Sequence, residues 1–145
     1  MSLYISKSQY CNAVQCPKML WMKRHMPDEF DPSVMNEAVL VQGSEVGDLA
    51  MGLFGDFTEV PYGKPAEMVE ATQLLMDANT PIIAEASFSC EGQFCSVDIL
   101  LNRGNRIVEI YEVKSSTQVH EIYYHDTAYQ TYVLTKLGYT VRRVC

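Results

Sequence analysis

Three apolar, β-rich runs separated by turn clusters, then one helical pattern and a last short run, most constrain how this chain folds. Ile82 to Phe88, Phe94 to Leu101 and Arg106 to Lys114 each read as strands, rich in β-branched and aromatic residues. Glu91-Gly92 supplies a tight turn after the first, and Asn102-Arg103-Gly104-Asn105 joins the second and third into a hairpin. From Glu121 to Leu137 the apolar residues Ala128, Val133, Leu134 and Leu137 recur at helical spacing, and Gly138 stops the helix. Tyr139 to Cys145 is a final short strand. The order β-β-β-α-β specifies an α/β fold in which one helix crosses from the hairpin to the last strand.

The segment before it reads as helices. Ser6 followed by Gln9 is a capping-box pattern, which starts a helix near Lys7. Cys16-Pro17 interrupts that helix, because proline disfavours helical geometry in the preceding residue. A second helix runs from Pro17 to about His25, followed by an acidic loop from Met26 to Phe30. Asp31-Pro32 opens a further helix toward Phe54, stopped by Gly55, with Val46, Leu49, Ala50, Leu53 and Phe54 at helical spacing. Pro65 to Ala78 is another, with Met68, Ala71, Leu74 and Leu75 on one face. One domain over residues 1–145 is expected, its helical part roughly 1–80 and its sheet core roughly 81–145. The last strand ends without an exit loop, as expected of a C-terminally truncated chain.

Composition narrows the class. The 48% apolar content suffices for a core, while no apolar run approaches the ~20 residues that span a bilayer. Met1 to Tyr10 lacks the apolar stretch of a signal peptide, so a cytoplasmic protein without membrane association is expected. Five cysteines, an odd number, argue for reduced, mostly buried thiols. A net charge of −7 opposes generic nucleic-acid binding. Lys7, Lys18, Lys23 and Arg24 nevertheless gather in the first 24 residues, while acids crowd Asp28 to Glu59.

The residues that carry chemistry lie on the hairpin. Asp98 interrupts an apolar strand between Val97 and Ile99, and a carboxylate there needs a partner or a metal. Glu112 and Lys114 alternate on the third strand and share a face. If the register sets the middle of one strand against the end of the other, Asp98 approaches Glu112. Two converging carboxylates beside a lysine repel each other unless a divalent cation lies between them, and hard ions such as Mg²⁺ prefer carboxylate oxygens. Such an ion activates water for phosphodiester hydrolysis, with the lysine orienting that water and stabilising developing charge. Alone, an acid-x-lysine pair more often marks a solvated edge or a surface ion pair.

An Asp on one hairpin strand and Glu-x-Lys on the next, within β-β-β-α-β, resembles the PD-(D/E)XK nuclease superfamily, and more narrowly the RecB-like and CRISPR-associated exonucleases. Tyr10-Cys-Asn-Ala-Val-Gln-Cys16-Pro17-Lys18 is similar to the N-terminal Cys-Pro-Arg/Lys element of that group. Tyr129-Gln130-Thr131-Tyr132 is similar to its Gln-x-x-x-Tyr motif, and Glu85 stands where several members carry another acid. The resemblance spans roughly Ile5 to Arg143. It implies a restriction-endonuclease-like core (α-β-β-β-α-β) with a mixed central sheet and N-terminal helices. It also implies an Mg²⁺- or Mn²⁺-dependent exonuclease acting on DNA, single-stranded or at a duplex end. Asp98, Glu112 and the Val113 carbonyl would hold the metal, with Glu85 assisting through water. Lys114 would orient the nucleophilic water, with Gln130 in support.

The sequence also departs from that pattern. The family's metal-binding His follows a glycine by four residues. In Gly43-Ser-Glu-Val-Gly47 a glycine stands there instead, so Glu45 or a water substitutes, or metal binding weakens. Tyr132 follows Gln130 by only two residues. Relatives with an iron–sulfur cluster use the N-terminal Cys plus three C-terminal cysteines. Cys16 matches the first ligand but only Cys145 lies near the end, so a cluster requires a longer chain. Of the remaining candidates, His120 and His125 are phosphate contacts, proton donors or ordinary helix-start residues. Tyr4, Tyr10 and Trp21 either stack bases or pack in the core. Two rivals stand beside the enzyme: a degenerate nuclease fold that binds nucleic acid or a partner protein without cleavage, and an unrelated α/β domain with a structural ion network.

Overall fold

The computed structural model describes residues 4–29 and 45–145. Strand β1 (Ile5–Ser6) leads directly into α1 (Lys7–Gln15), followed by α2 (Pro17–His25) and a 3₁₀ turn at Pro27–Glu29. Helical residues 45–51, here α3, pass into a 3₁₀ turn at Gly52–Phe54. Then come β2 (Thr58–Glu59), α4 (Pro65–Asp77), β3 (Ile82–Cys90), β4 (Gln93–Asn102), β5 (Ile107–Tyr111), α5 (Glu121–Lys136) and β6 (Thr140–Val144). The chain is α/β with a mixed sheet in the order β2-β3-β4-β5-β6, and β1 joins it by pairing with β4.

Local chemistry explains the element ends. The Ser6 hydroxyl accepts from the Gln9 N–H while the Gln9 side chain accepts from the Ser6 N–H, which closes the expected capping box. Pro17 sits in the first turn of α2, where its missing N–H costs nothing. Gly138 ends α5 at φ 84°, a left-handed conformation that glycine adopts without steric cost.

Strands β3, β4 and β5 run antiparallel, and a parallel helical crossover flanks them on each side: β2–α4–β3 and β5–α5–β6. Parallel neighbours need such a crossover, because a two-residue turn cannot reverse twice. The core lies where Met68 and Met76 of α4 and Tyr129, Val133 and Leu134 of α5 meet the sheet residues Ile83, Val97, Leu100, Val108 and Ile110. Thr72, buried in α4, accepts from the Ser87 backbone N–H at 2.8 Å and thereby ties the helix to β3.

Several sequence expectations need correction. The N-terminal part is not purely helical, since β1 and β2 add edges to the sheet. The start of a helix at Asp31-Pro32 lies outside the described residues. Toward Phe54 the helix tightens into a 3₁₀ turn, and Leu49 and Leu53 face outward instead of forming a buried stripe. On α4, Met68, Ala71 and Leu75 pack on the core as expected, joined by the buried Thr72 and Met76, whereas Leu74 is exposed. The third strand ends at Tyr111, so Glu112 and Lys114 lie just past it. All five cysteines are free, but Cys95 alone is buried, and Cys16 and Cys145 are exposed. Among the described residues no helix is long and apolar enough to cross a membrane.

Candidate active site

The site forms where two strands stop short of each other along one edge of β4. Because β3 covers one side of β4, β1 and β5 must share the other. Strand β1 runs parallel to β4 and ends with Ser6 opposite Phe94, whereas β5 runs antiparallel and ends with Tyr111 opposite Ile99. The two therefore converge on the segment 95–98. Lys7 leaves the end of β1 and Glu112 leaves the end of β5, so both arrive beside Asp98.

The ladder aligns the acids. Tyr111 pairs with Ile99, and continuing this register sets Glu112 against Asp98. Ala84 pairs with Ile99 and Ala86 with Val97, so Glu85 lies across from Asp98 on the other side. Glu85 and Asp98 thus lie in register on β3 and β4, and Glu112, just past the end of β5, continues the row. Glu85 itself has φ 55°, a left-handed backbone rare for a residue with a side chain. Its carbonyl accepts from the Ser87 hydroxyl at 3.0 Å, and that hydroxyl also bonds the Ser96 hydroxyl at 2.8 Å. Backbone strain of this kind within a strand commonly marks a functional position.

Asp98 accepts the Val113 backbone N–H at 2.7 Å, which fixes the turn out of β5. Both Glu112 oxygens are engaged. Lys7 Nζ lies 2.9 and 3.0 Å from them, Lys114 Nζ lies 2.7 Å from Oε1, and Gln130 Nε2 donates to Oε2 at 2.7 Å. Asp126, one helical turn before Gln130 on α5, completes the cluster. Its oxygens lie 2.7 Å from Lys114 Nζ, 2.7 Å from Gln130 Nε2 and 3.3 Å from Lys7 Nζ. Flanked by two carboxylates, the Gln130 amide must present its NH₂ to both, and its buried Oε1 has no hydrogen-bond partner among the described residues.

The electrostatics record a shortage of positive charge. Among the described residues, the carboxylates of Glu85, Asp98, Glu112 and Asp126 face the ammonium groups of Lys7 and Lys114, two negative charges in excess if all are ionised. Burial, reinforced by the neighbouring Glu112, raises the Asp98 carboxyl to about 6. Burial and the Asp98 charge raise Glu85 to about 7. Asp126 moves the other way, because Lys7 and Lys114 outweigh its desolvation. Burial alone would lower both lysines, yet the surrounding carboxylates hold each above the ordinary lysine value.

The structure therefore brings Glu85, Asp98, Glu112, Val113, Lys114 and Gln130 together, and it adds two residues that sequence reasoning missed as site residues, Lys7 and Asp126. The others lie apart from the row. Gly47 has nothing within 4 Å of where a Cβ would stand, and Glu45 is exposed. Cys16 is exposed at the junction of α1 and α2. Tyr10 stacks on Tyr129 at 4.9 Å and approaches His125 Nδ1 at 3.4 Å, which makes all three part of the α1–α5 contact. Tyr4 packs on Phe94, while Trp21 is exposed beside His25. His120 caps α5 with its ring edge-on to Tyr123.

Does this donor set suit a divalent cation? Among the described residues no group of three or more His, Cys, Asp or Glu side chains converges closely enough to hold a metal ion as the cluster stands. In kind the donors fit: hard carboxylate oxygens on adjacent strands, mutually repelling, two charges short of balance, beside an unpartnered amide oxygen. A cleft of about 560 Å³ opens onto Glu112 and Lys114, bordered by residues 116–119, Tyr123, Tyr124 and Thr127. No family model, curated protein or solved structure matches the chain.

Proposed function

We propose that this chain is a metal-dependent deoxyribonuclease with a restriction-endonuclease-like core, a RecB-like exonuclease that hydrolyses DNA phosphodiesters with Mg²⁺ or Mn²⁺. The observation that carries the reading is that Asp98 accepts the Val113 N–H at 2.7 Å, beside the Glu112 charge, with Lys114 at 2.7 Å from Glu112. Asp98 and Glu112 hold the cation, with the Val113 carbonyl and Glu85 in support. The cation supplies Lewis acidity toward the phosphate and lowers the pKa of the attacking water. Lys114, fixed between Glu112 and Asp126, orients that water and offsets charge that develops on the phosphate. Gln130 holds Glu112 and Asp126 apart at a set distance through its two donated hydrogen bonds. Tyr123 and Tyr124 border the cleft, and aromatic side chains there suit contact with the bases of an entering strand.

A second reading is supported by the engagement of both Glu112 oxygens with ammonium and amide groups. In that reading the fold binds nucleic acid or a partner protein without cleaving. Mn²⁺ calorimetry combined with hydrolysis of labelled DNA separates the two. A nuclease binds Mn²⁺ and cleaves, and Asp98→Ala loses both properties. Equal cleavage by wild type and Asp98→Ala rules out this metal site, and Mn²⁺ binding without cleavage favours the second reading.

A further inference from the structure

Lys7 occupies an unusual position for a lysine. It is the first residue of α1, where the helix dipole disfavours a cation and usually selects acids. Its backbone is held by the Ser6–Gln9 capping box and by the hydrogen bond from the Tyr129 hydroxyl to the Ile5 carbonyl at 2.6 Å. Its side chain turns inward, with 18% of its area exposed, and reaches both oxygens of Glu112 and one of Asp126. Nothing in the needs of α1 itself calls for a charge there, so its partners account for it.

We infer that Lys7 is a tethered counter-ion that occupies the seat of the divalent cation, and that a cation arriving at Glu112 displaces it. This rests on the reading of the cluster as a cation site. A single ammonium contacting both oxygens of one carboxylate, at 2.9 and 3.0 Å, stands where a chelated ion would stand. Lys114 is not the displaced group, because it touches only one Glu112 oxygen, lies closer to Asp126 than Lys7 does (2.7 against 3.3 Å) and sits over the Tyr123 ring. The two lysines thus divide the work: Lys114 stays with the reacting atoms, while Lys7 keeps the carboxylates from repelling one another until the cation arrives.

Two measurements on the intact chain test this. Lysine acylation followed by mass spectrometry compares Lys7 with the exposed Lys18 and Lys64, with and without Mn²⁺. Displacement raises labelling of Lys7 several-fold relative to the two references. Calorimetry then gives Mn²⁺ affinity for wild type, Lys7→Gln and Lys7→Arg. Loss of the competing charge tightens binding roughly tenfold in Lys7→Gln, whereas Lys7→Arg gains nothing. If Lys7→Gln fails to fold, the labelling of wild type decides alone. Wild type that binds Mn²⁺ with Lys7 labelling unchanged, or a folded Lys7→Gln that binds no tighter, overturns the displacement and leaves the cation site standing. Absence of Mn²⁺ binding in wild type and both variants overturns the cation reading and the displacement with it.

Discussion

Asp98 on β4 accepts the Val113 N–H at 2.7 Å, so the segment that carries Glu112 and Lys114 out of the end of β5 is anchored to that acid. Burial and the neighbouring Glu112 charge both disfavour the ionised form of Asp98. The effect on stability has a definite sign. An acid whose folded pKa is raised from 3.8 to about 6 favours the fold most below pH 4, and that contribution is lost as pH rises through 6. Asp98→Asn cannot ionise, and its side-chain oxygen still accepts the Val113 N–H. In the absence of divalent cations its stability at pH 7.5 should exceed wild type by on the order of 1–3 kcal/mol, converging with wild type near pH 3. Denaturant melts at the two pH values check this, and a loss of stability at pH 7.5 would argue for a structural ion network.

Glu85 extends the same logic by one strand. Its carboxyl is raised from 4.5 to about 7, so its contribution is lost as pH rises between those values. Glu85→Gln should flatten the stability profile over that window. Thermal melts from pH 4 to pH 8 give the comparison, and an unchanged slope would contradict the placement of Glu85 beside Asp98.

The left-handed backbone at Glu85 makes a separate prediction. Glycine inside a strand ordinarily weakens it, but at φ 55° the missing Cβ removes strain. Glu85→Gly should therefore be more stable than Glu85→Ala by about 1 kcal/mol, the reverse of the usual order. Paired equilibrium melts of the two variants read this directly.

Asp126 and Gln130 act through Lys114 and Glu112. Asp126→Asn weakens one of the two carboxylate contacts that hold the Lys114 ammonium. On the proposed nuclease reading, cleavage by Asp126→Asn falls roughly 10–100-fold in kcat with KM little changed, because only the positioning of the lysine suffers. Gln130→Glu would set a third carboxylate against Glu112 and Asp126, and should cost more than Gln130→Leu in both stability and rate. Steady-state kinetics beside melting curves distinguish a positioning role from a merely structural one.

Legibility in the sequence followed the range of the interactions. The strands, the Asn102–Asn105 hairpin and helix α5 came from local periodicity and turn residues, and the approach of Asp98 to Glu112 followed only from an assumed register, toward which the Ile99–Tyr111 pair points. Asp126 was within reach, since it lies four residues before Gln130 on the same helical face. Lys7 was not. Its place in the site depends on the parallel pairing of Ile5 and Ser6 with Gln93 and Phe94, a contact between distant segments that two residues of strand cannot announce. Leu74 and Leu49 misled for a related reason: helical spacing reports that a face exists, while the docking of the helix decides which side is covered.

The most direct measurement is hydrolysis of end-labelled single- and double-stranded DNA in Mn²⁺ by wild type and Lys114→Ala, purified side by side and shown to melt cooperatively. A nuclease built on Asp98, Glu112 and Lys114 cleaves at least one substrate, and the variant loses ~100-fold or more of that rate. Cleavage that persists undiminished in Lys114→Ala would contradict the assignment.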